Sequence, residues 1–187
     1  MDLKNWQLKS DRCLLLLIDF QEKLATAMPE EKLNKAVANV RILCKAAELL
    51  NFPIMITEQY PKGLGTTLPE IAEAAGDARR VEKIHFAATD VEEFVEALRL
   101  TGRDQILVAG METHVCVFQT VRGLLRLGCH PFIVGDAVVS RRKDNFSIGL
   151  SMCQGAGAAL VSTESSVFDL LNVAQGDAFK TLSKLIR

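Results

Sequence analysis

Three side chains that could act together in catalysis follow three predicted strands of this chain. Asp19 comes directly after the apolar run Cys13–Ile18, Lys83 lies at the end of the third predicted strand, and Cys116 follows the fourth. The carboxyl ends of parallel strands share one edge of a sheet, so we expect these side chains to lie together. A thiolate can attack a carbonyl-like carbon, and a carboxylate can take up and return the thiol proton. An ammonium can stabilise the thiolate and orient the carboxylate.

The nucleophile of this set is one of five cysteines. A helix is predicted from about Cys116 to Leu127, and a thiol at a helix N-terminus is expected to ionise more readily. An odd number of cysteines with no C-x-x-C pair argues against a disulfide framework and a structural zinc site. A redox role would need a resolving cysteine near Cys116, and Cys129 is most of a helix away. The remaining cysteines are predicted to be small buried hydrophobes: Cys13, Cys44, Cys129 and Cys153.

Strand-like runs alternate with helix-like runs along the chain. The predicted strands are 13–18, 53–56, 80–84, 105–109, 131–134 and 159–161. The predicted helices are 32–50, a short one after Pro69, 91–100, 116–127, 145–154, 165–173 and 178–186. Strands separated by helices imply right-handed crossovers and helices on both faces of the sheet. We therefore predict a three-layer α/β/α Rossmann-like fold with a mostly parallel six-stranded sheet.

Composition limits the classes of partner. The chain has 187 residues, a hydrophobic fraction of 49% and a formal net charge of -1. This charge gives no electrostatic reason to expect nucleic acid or an acidic membrane surface as a partner. No apolar run approaches the roughly 20 residues of a membrane span, and the first residues do not form the apolar segment of a secretory signal. We expect a cytoplasmic protein that acts on a small molecule.

Several segments resemble one known family in their order and spacing. Ile-Asp-Phe-Gln at 18–21, Glu82-Lys83 with Phe86, and Gly-Met-Glu-Thr-His-Val-Cys-Val at 110–117 are similar to the signature segments of the isochorismatase-like cysteine hydrolases. Gly-Asp-Ala at 135–137, followed by Ser140-Arg141, resembles the segment that follows the fifth strand in that family. The resemblance covers nearly the whole chain, and it predicts a single isochorismatase-like domain over residues 1–187.

The resemblance implies a catalytic triad of Asp19, Lys83 and Cys116. It also implies a cis peptide bond between Met111 and Glu112, which turns the Glu112 amide inward. The backbone N–H groups of Glu112 and Cys116 would then form an oxyanion hole. The family is usually homo-oligomeric, and the apolar C-terminal segment 179–186 agrees with a dimer or higher oligomer. The residues expected to line a substrate pocket beside the triad are Phe20, Gln21, Tyr60, Phe86 and His114.

The second strand is followed by a segment that departs from part of the superfamily. Metal-dependent nicotinamidases carry an Asp-x-His pattern there, whereas this chain reads Thr57-Glu58-Gln59-Tyr60. We therefore expect no metal and no other cofactor, and nicotinamidase activity is not favoured. Because the cysteine is present, the preferred function is cleavage of a small amide or related C–N bond through a thioester-type intermediate on Cys116.

Other functions stay open on the sequence alone. A vinyl-ether hydrolase of the isochorismate type does not need the cysteine. A binding or scaffold protein could keep the fold without turnover, although it would not need all three triad residues. A receiver-like phosphorelay domain would need an acidic pair after the first strand and an aspartate after the third, and the chain has neither.

Overall fold

Strand β1 spans Cys13–Ile18 and lies in the interior of a six-stranded parallel sheet. The computed structural model describes residues 5–186, so residues 1–4 and 187 of the predicted domain lie outside the described part. All of β1 is buried, and alternate side chains enter two hydrophobic cores, one on each face of the sheet. A strand covered on both faces needs an apolar side chain at every position, which explains the continuous apolar run.

The sheet has the order β3-β2-β1-β4-β5-β6, and every strand pairing is parallel. The other strands are β2 (Ile54–Gln59), β3 (Arg79–Lys83), β4 (Gln105–Met111), β5 (His130–Val139) and β6 (Ala159–Val161). The predicted fold class is confirmed. Strand β5 is longer than predicted because it resumes pairing with β4 at Val138 after a register shift.

Helices cover both faces of this sheet. They are α1 (Glu22–Ala25), α2 (Glu30–Leu50), α3 (Pro61–Leu64), α4 (Pro69–Ala75), α5 (Glu92–Thr101), α6 (Phe118–Arg126), α7 (Lys143–Ala156), α8 (Thr163–Leu171) and α9 (Gly176–Leu185). A short 3-10 helix spans Ala88–Asp90, and a π-helical turn spans Thr113–Val117. The short helices α1 and α3 are absent from the sequence prediction because so few residues carry no detectable period. Within residues 5–186, no helix is both long and apolar enough to span a bilayer.

The strand order reverses between β1 and β4. From β1 the chain moves outward to β2 and β3, then returns to add β4 on the other side of β1. In open α/β sheets, ligands bind outside the carboxyl ends of the strands at such a reversal, where the crossover helices diverge. Asp19 follows β1 and Cys116 follows β4, so both stand at this point of the sheet.

Candidate active site

Asp19 is fixed at the carboxyl end of β1 by both of its carboxylate oxygens. The residue is fully buried and has a left-handed backbone conformation, with φ of 55°. Its Oδ1 accepts a hydrogen bond from the Thr57 hydroxyl at 2.7 Å, and its Oδ2 accepts one from Lys83 Nζ at 2.6 Å. A buried carboxylate needs such partners, because desolvation of an unpaired charge is very unfavourable.

Lys83 lies at the end of edge strand β3, and its ammonium points inward. The side chain is fully buried. Besides Asp19, its Nζ donates to Gln59 Oε1 at 2.8 Å and to the Phe86 carbonyl at 3.3 Å. An ammonium has three N–H donors, so these acceptors together fix its position.

Cys116 completes the set from the π-helical turn after β4. The charges of Asp19 and Lys83 both act on the pKa of its thiol, and the residue is 6% exposed. Gly110 allows β4 to approach β1 here, because a Cβ at this position would lie 2.6 Å from the Ile18 carbonyl oxygen. The predicted helix start at Cys116 is corrected: helical structure begins three residues earlier, at Thr113.

The electrostatics of the thiol differ from the sequence expectation. Burial, followed by the negative charge of Asp19, raises the pKa of Cys116 to about 12, although Lys83 opposes this shift. The expected ease of ionisation is therefore not found. Burial also raises the pKa of the Asp19 carboxyl, with Lys83 acting against it. The resting arrangement is a neutral thiol beside a carboxylate whose basicity is increased, as in a general base.

The turn that leads to Cys116 is held by the segment that follows β5. The Met111–Glu112 peptide bond is cis. The Thr113 amide donates to Ser140 Oγ at 3.1 Å, and His114 Nδ1 lies 3.2 Å from the same oxygen. Arg141 binds both carboxylate oxygens of Glu112, from its amide at 2.9 Å and from Nε at 3.0 Å.

The five predicted pocket residues have different surroundings. Tyr60 and Phe86 are each 54% exposed, and Tyr60 lines a cavity of about 540 Å³ that also borders Lys83. His114 is half-buried against Ser140. Phe20 is corrected to a core residue, because it is 1% exposed within a hydrophobic core.

Gln21 is also corrected, from a pocket residue to one that holds a loop. It is fully buried, and its amide binds only backbone groups. Its Nε2 donates to the carbonyls of Gln59 and Gly65, and its Oε1 accepts from the Gln59 amide. Nearby, Glu58 accepts from both the amide and the hydroxyl of Thr67. These bonds attach the loop after β2 to the site.

The polar side chains at the end of β2 do not resemble the ligands of a metal site. Within residues 5–186, no group of three or more His, Cys, Asp or Glu side chains is placed to hold a metal ion. The side chain of Gln59 instead accepts a hydrogen bond from Lys83 Nζ through its Oε1. Its Nε2 donates to the Ile84 carbonyl at 2.9 Å.

Thr57 and Gln59 belong to the site, although they were not predicted as parts of it. They stand two residues apart at the end of β2, and residues two apart on a strand share a face. Two polar residues on one face at the end of a buried strand are the sequence pattern that could have predicted their place in the site. Arg141, in the segment that resembles the family after the fifth strand, binds the Glu112 carboxylate.

Comparison with known proteins gives consistent matches. The isochorismatase domain model matches residues 13–165. The secreted isochorismatase effector Isc1 of Phytophthora sojae is 37% identical over 83% of this chain and 76% of its own length. The MAR1 ribonuclease structure from Caenorhabditis elegans has a TM-score of 0.89 at 31% identity, covering 96% of this chain and 92% of that chain. The Escherichia coli YcaC structure, described as an octameric hydrolase of unknown specificity, has a TM-score of 0.90 at 26% identity, covering 96% and 90%.

Proposed function

Because the chain belongs to the isochorismatase domain family, we propose that it is a hydrolase that cleaves a small amide or related C–N bond. In this proposal Cys116 is the nucleophile, Asp19 the general acid and base, and Lys83 the cation that orients Asp19 and stabilises developing negative charge. The observation that carries the proposal is the convergence of a buried carboxylate, ammonium and thiol at the sheet's reversal point.

The first half of the proposed reaction forms a thioester. The thiol proton of Cys116 passes to Asp19 while the sulfur forms a bond to the substrate carbonyl carbon, whose oxygen takes the electron pair. The N–H groups of Glu112 and Cys116 are the proposed donors to this oxyanion. Collapse of the intermediate breaks the C–N bond, and the leaving nitrogen takes the proton from Asp19.

The second half returns the enzyme to its starting state. Asp19 takes a proton from water, and the resulting hydroxyl bonds to the thioester carbon. Collapse of the second oxyanion breaks the C–S bond, and the proton on Asp19 returns to the sulfur. The raised pKa of Asp19 suits both steps, because a more basic carboxylate accepts a proton more readily.

A screen of small amides, ureas and carbamoyl compounds tests this function. Cys116→Ala is expected to abolish turnover and the acyl-enzyme mass increment in intact-protein mass spectrometry. Cys129→Ala is the matched control, since Cys129 is a half-buried thiol outside the triad, and it is expected to retain both. Turnover that survives in Cys116→Ala would exclude the cysteine mechanism.

The same screen includes a short RNA, because one structural relative is described as a ribonuclease. We expect no cleavage here, since a formal net charge of -1 provides little attraction for a phosphate backbone. RNA cleavage that is lost in Cys116→Ala would replace the amide proposal.

We also propose that the chain forms a homo-oligomer. The similar YcaC protein is described as octameric. Large apolar side chains remain exposed near the site and on α7, including Ile84 at 75% and Ile148 at 53%. Burial of such side chains between copies would stabilise an assembly.

A further inference from the structure

A second cavity, of about 560 Å³, lies at the carboxyl end of β5 between the first turns of α2 and α7. None of the triad residues lines it. Its volume is in the range of sites that bind small organic molecules. The proposed catalytic mechanism makes no use of this cavity.

The charged groups around this cavity are mainly positive. Lys32, Lys35 and Lys143 line it, and Lys143 is the first residue of α7, where the helix dipole adds positive potential. The lining includes one acid, Asp136, whose Oδ1 accepts from the amide of Thr163 at 2.8 Å and from its hydroxyl at 2.9 Å. The cavity therefore presents cations with little competing negative charge.

The lysines have weak partners or none among the described residues. Lys32 lies 4.0 Å from Glu31, and both side chains are largely exposed. Within residues 5–186, Lys35 and Lys143 form no ion pair. Another acid in the first turn of α7, Asp144, lies 3.9 Å from Arg142. The ammonium groups of Lys35 and Lys143 are thus available to an anion.

Apolar side chains form the rest of the wall. Pro29, Val138, Val139 and the half-buried Phe146 line the cavity together with the lysines. Ser140 also lines it, but its oxygen is already bound to the Thr113 amide and lies beside His114. A ligand that fits needs an anionic group for the lysines and an apolar body for Val138 and Phe146.

We propose that this cavity is a second binding site, separate from the triad, for a small organic anion with an apolar body. The anionic group lies between Lys35 and Lys143, and the apolar body packs against Val138 and Phe146. Neither feature alone would suffice, since exposed lysines bind simple anions weakly and an apolar wall does not discriminate charge.

Isothermal titration of the full chain with octanoate at low ionic strength tests the proposal. We expect one saturable site, with acetate and octanol both binding much more weakly because each lacks one of the two required features. Lys35→Ala/Lys143→Ala is expected to weaken octanoate binding by about fivefold or more. Added salt is expected to weaken it as well, because exposed charges are screened.

Two controls separate this site from other sources of binding. Lys23→Ala/Lys184→Ala removes two exposed helical lysines away from the cavity and is expected to change the affinity by less than about twofold. Cys116→Ala is expected to bind octanoate normally, whatever its effect on turnover. The proposal is overturned by absence of saturable binding, by equal binding of octanol, by equal loss in both lysine variants, or by loss in Cys116→Ala.

Discussion

At the scale of single residues, the site combines a charged pair with a neutral thiol. Asp19 and Lys83 are both fully buried, and each is compensated by the other and by further hydrogen bonds. The thiol of Cys116 joins them without being ionised at rest, because its pKa is raised to about 12. Proton transfer to Asp19 during attack is therefore central to the proposed mechanism.

Asp19→Asn is expected to lower both the pKa of the Cys116 thiol and the turnover. A simple packing defect would not lower the thiol pKa. Removal of the negative charge beside Cys116 leaves Lys83 to favour the thiolate, so the thiol pKa should fall below about 12. Turnover should fall by about a hundredfold or more, because the general base is lost. Ultraviolet absorbance of the thiolate measures the pKa, with Asp19→Asn/Cys116→Ala as the reference. An unchanged or higher pKa would contradict the assigned role of Asp19.

Gln59→Ala tests the group that positions Lys83. The variant removes an acceptor from a buried ammonium, so the free energy of unfolding should decrease by about 1–3 kcal/mol. Gln154→Ala, at an exposed position on α7, is the control and should change stability by less than about 0.5 kcal/mol. Chemical denaturation measures both variants. Equal stabilities would mean that Gln59 does not hold Lys83 in solution.

At the scale of elements, helix α7 supports the turn that carries Cys116. A Cβ at Gly149 would lie 2.7 Å from the His114 amide nitrogen, so the backbone of α7 and that of the π-helical turn are almost in contact. Such an approach requires glycine in the middle of a helix, where it is otherwise unfavourable. Residues 140–141, in the loop that precedes α7, also form hydrogen bonds to this π-helical turn and to Glu112 before it.

Gly149→Ala should therefore destabilise the protein and reduce turnover, because the added methyl group displaces the turn. Gly155→Ala on the same helix has no neighbouring atom within 4 Å of the added Cβ. It should increase the free energy of unfolding by about 0.5–1 kcal/mol through helix propensity. Thermal and chemical unfolding compare the two. If Gly149→Ala proves as stable as Gly155→Ala, the close contact does not exist in solution.

At the scale of the whole molecule, the candidate active site and the lysine-lined cavity lie at the same edge of the sheet. The triad lies at the reversal between β1 and β4, and the lysine-lined cavity lies at the end of β5. The C-terminal segment is used within the chain, since Leu182 of α9 is fully buried in the core. Its apolar character therefore gives less support to an oligomer than the sequence indicated, and the exposed Ile84 and Ile148 become the better candidates for contacts between copies.

Multi-angle light scattering at micromolar concentration tests the assembly. We expect a mass that is a multiple of 20.6 kDa, as for the similar octameric protein. Ile148→Lys places a charge on an exposed face of α7 and should reduce the mass if that face forms an interface; Leu100→Lys, at an exposed position on α5, is the control. A monomeric mass for the unmodified chain would refute the oligomer proposal.

The amino-acid sequence by itself predicted the fold class and supplied Asp19, Lys83 and Cys116 as the candidate site residues. A continuous apolar run such as 13–18 is typical of a strand covered on both faces, and alternation with helical patterns favours parallel crossovers. Polar residues that follow such runs stand at the carboxyl edge of the sheet, which predicts that Asp19 and Cys116 lie on the same edge. Local pattern was sufficient for these predictions because the period of apolar residues and the order of strands and helices can be read along the chain.

Only the tertiary structure decided how these residues behave. Strand order depends on long-range pairing, so the position of the reversal between β1 and β4 is not contained in any single segment. A helix start by itself predicts a lowered pKa for Cys116, whereas burial and the charge of Asp19 raise this pKa in the folded chain. Gln59, Ser140 and Arg141 became parts of the site through contacts between distant segments. Hydrogen-bond partners and desolvation are set by which segments meet, and that is a property of the folded chain alone.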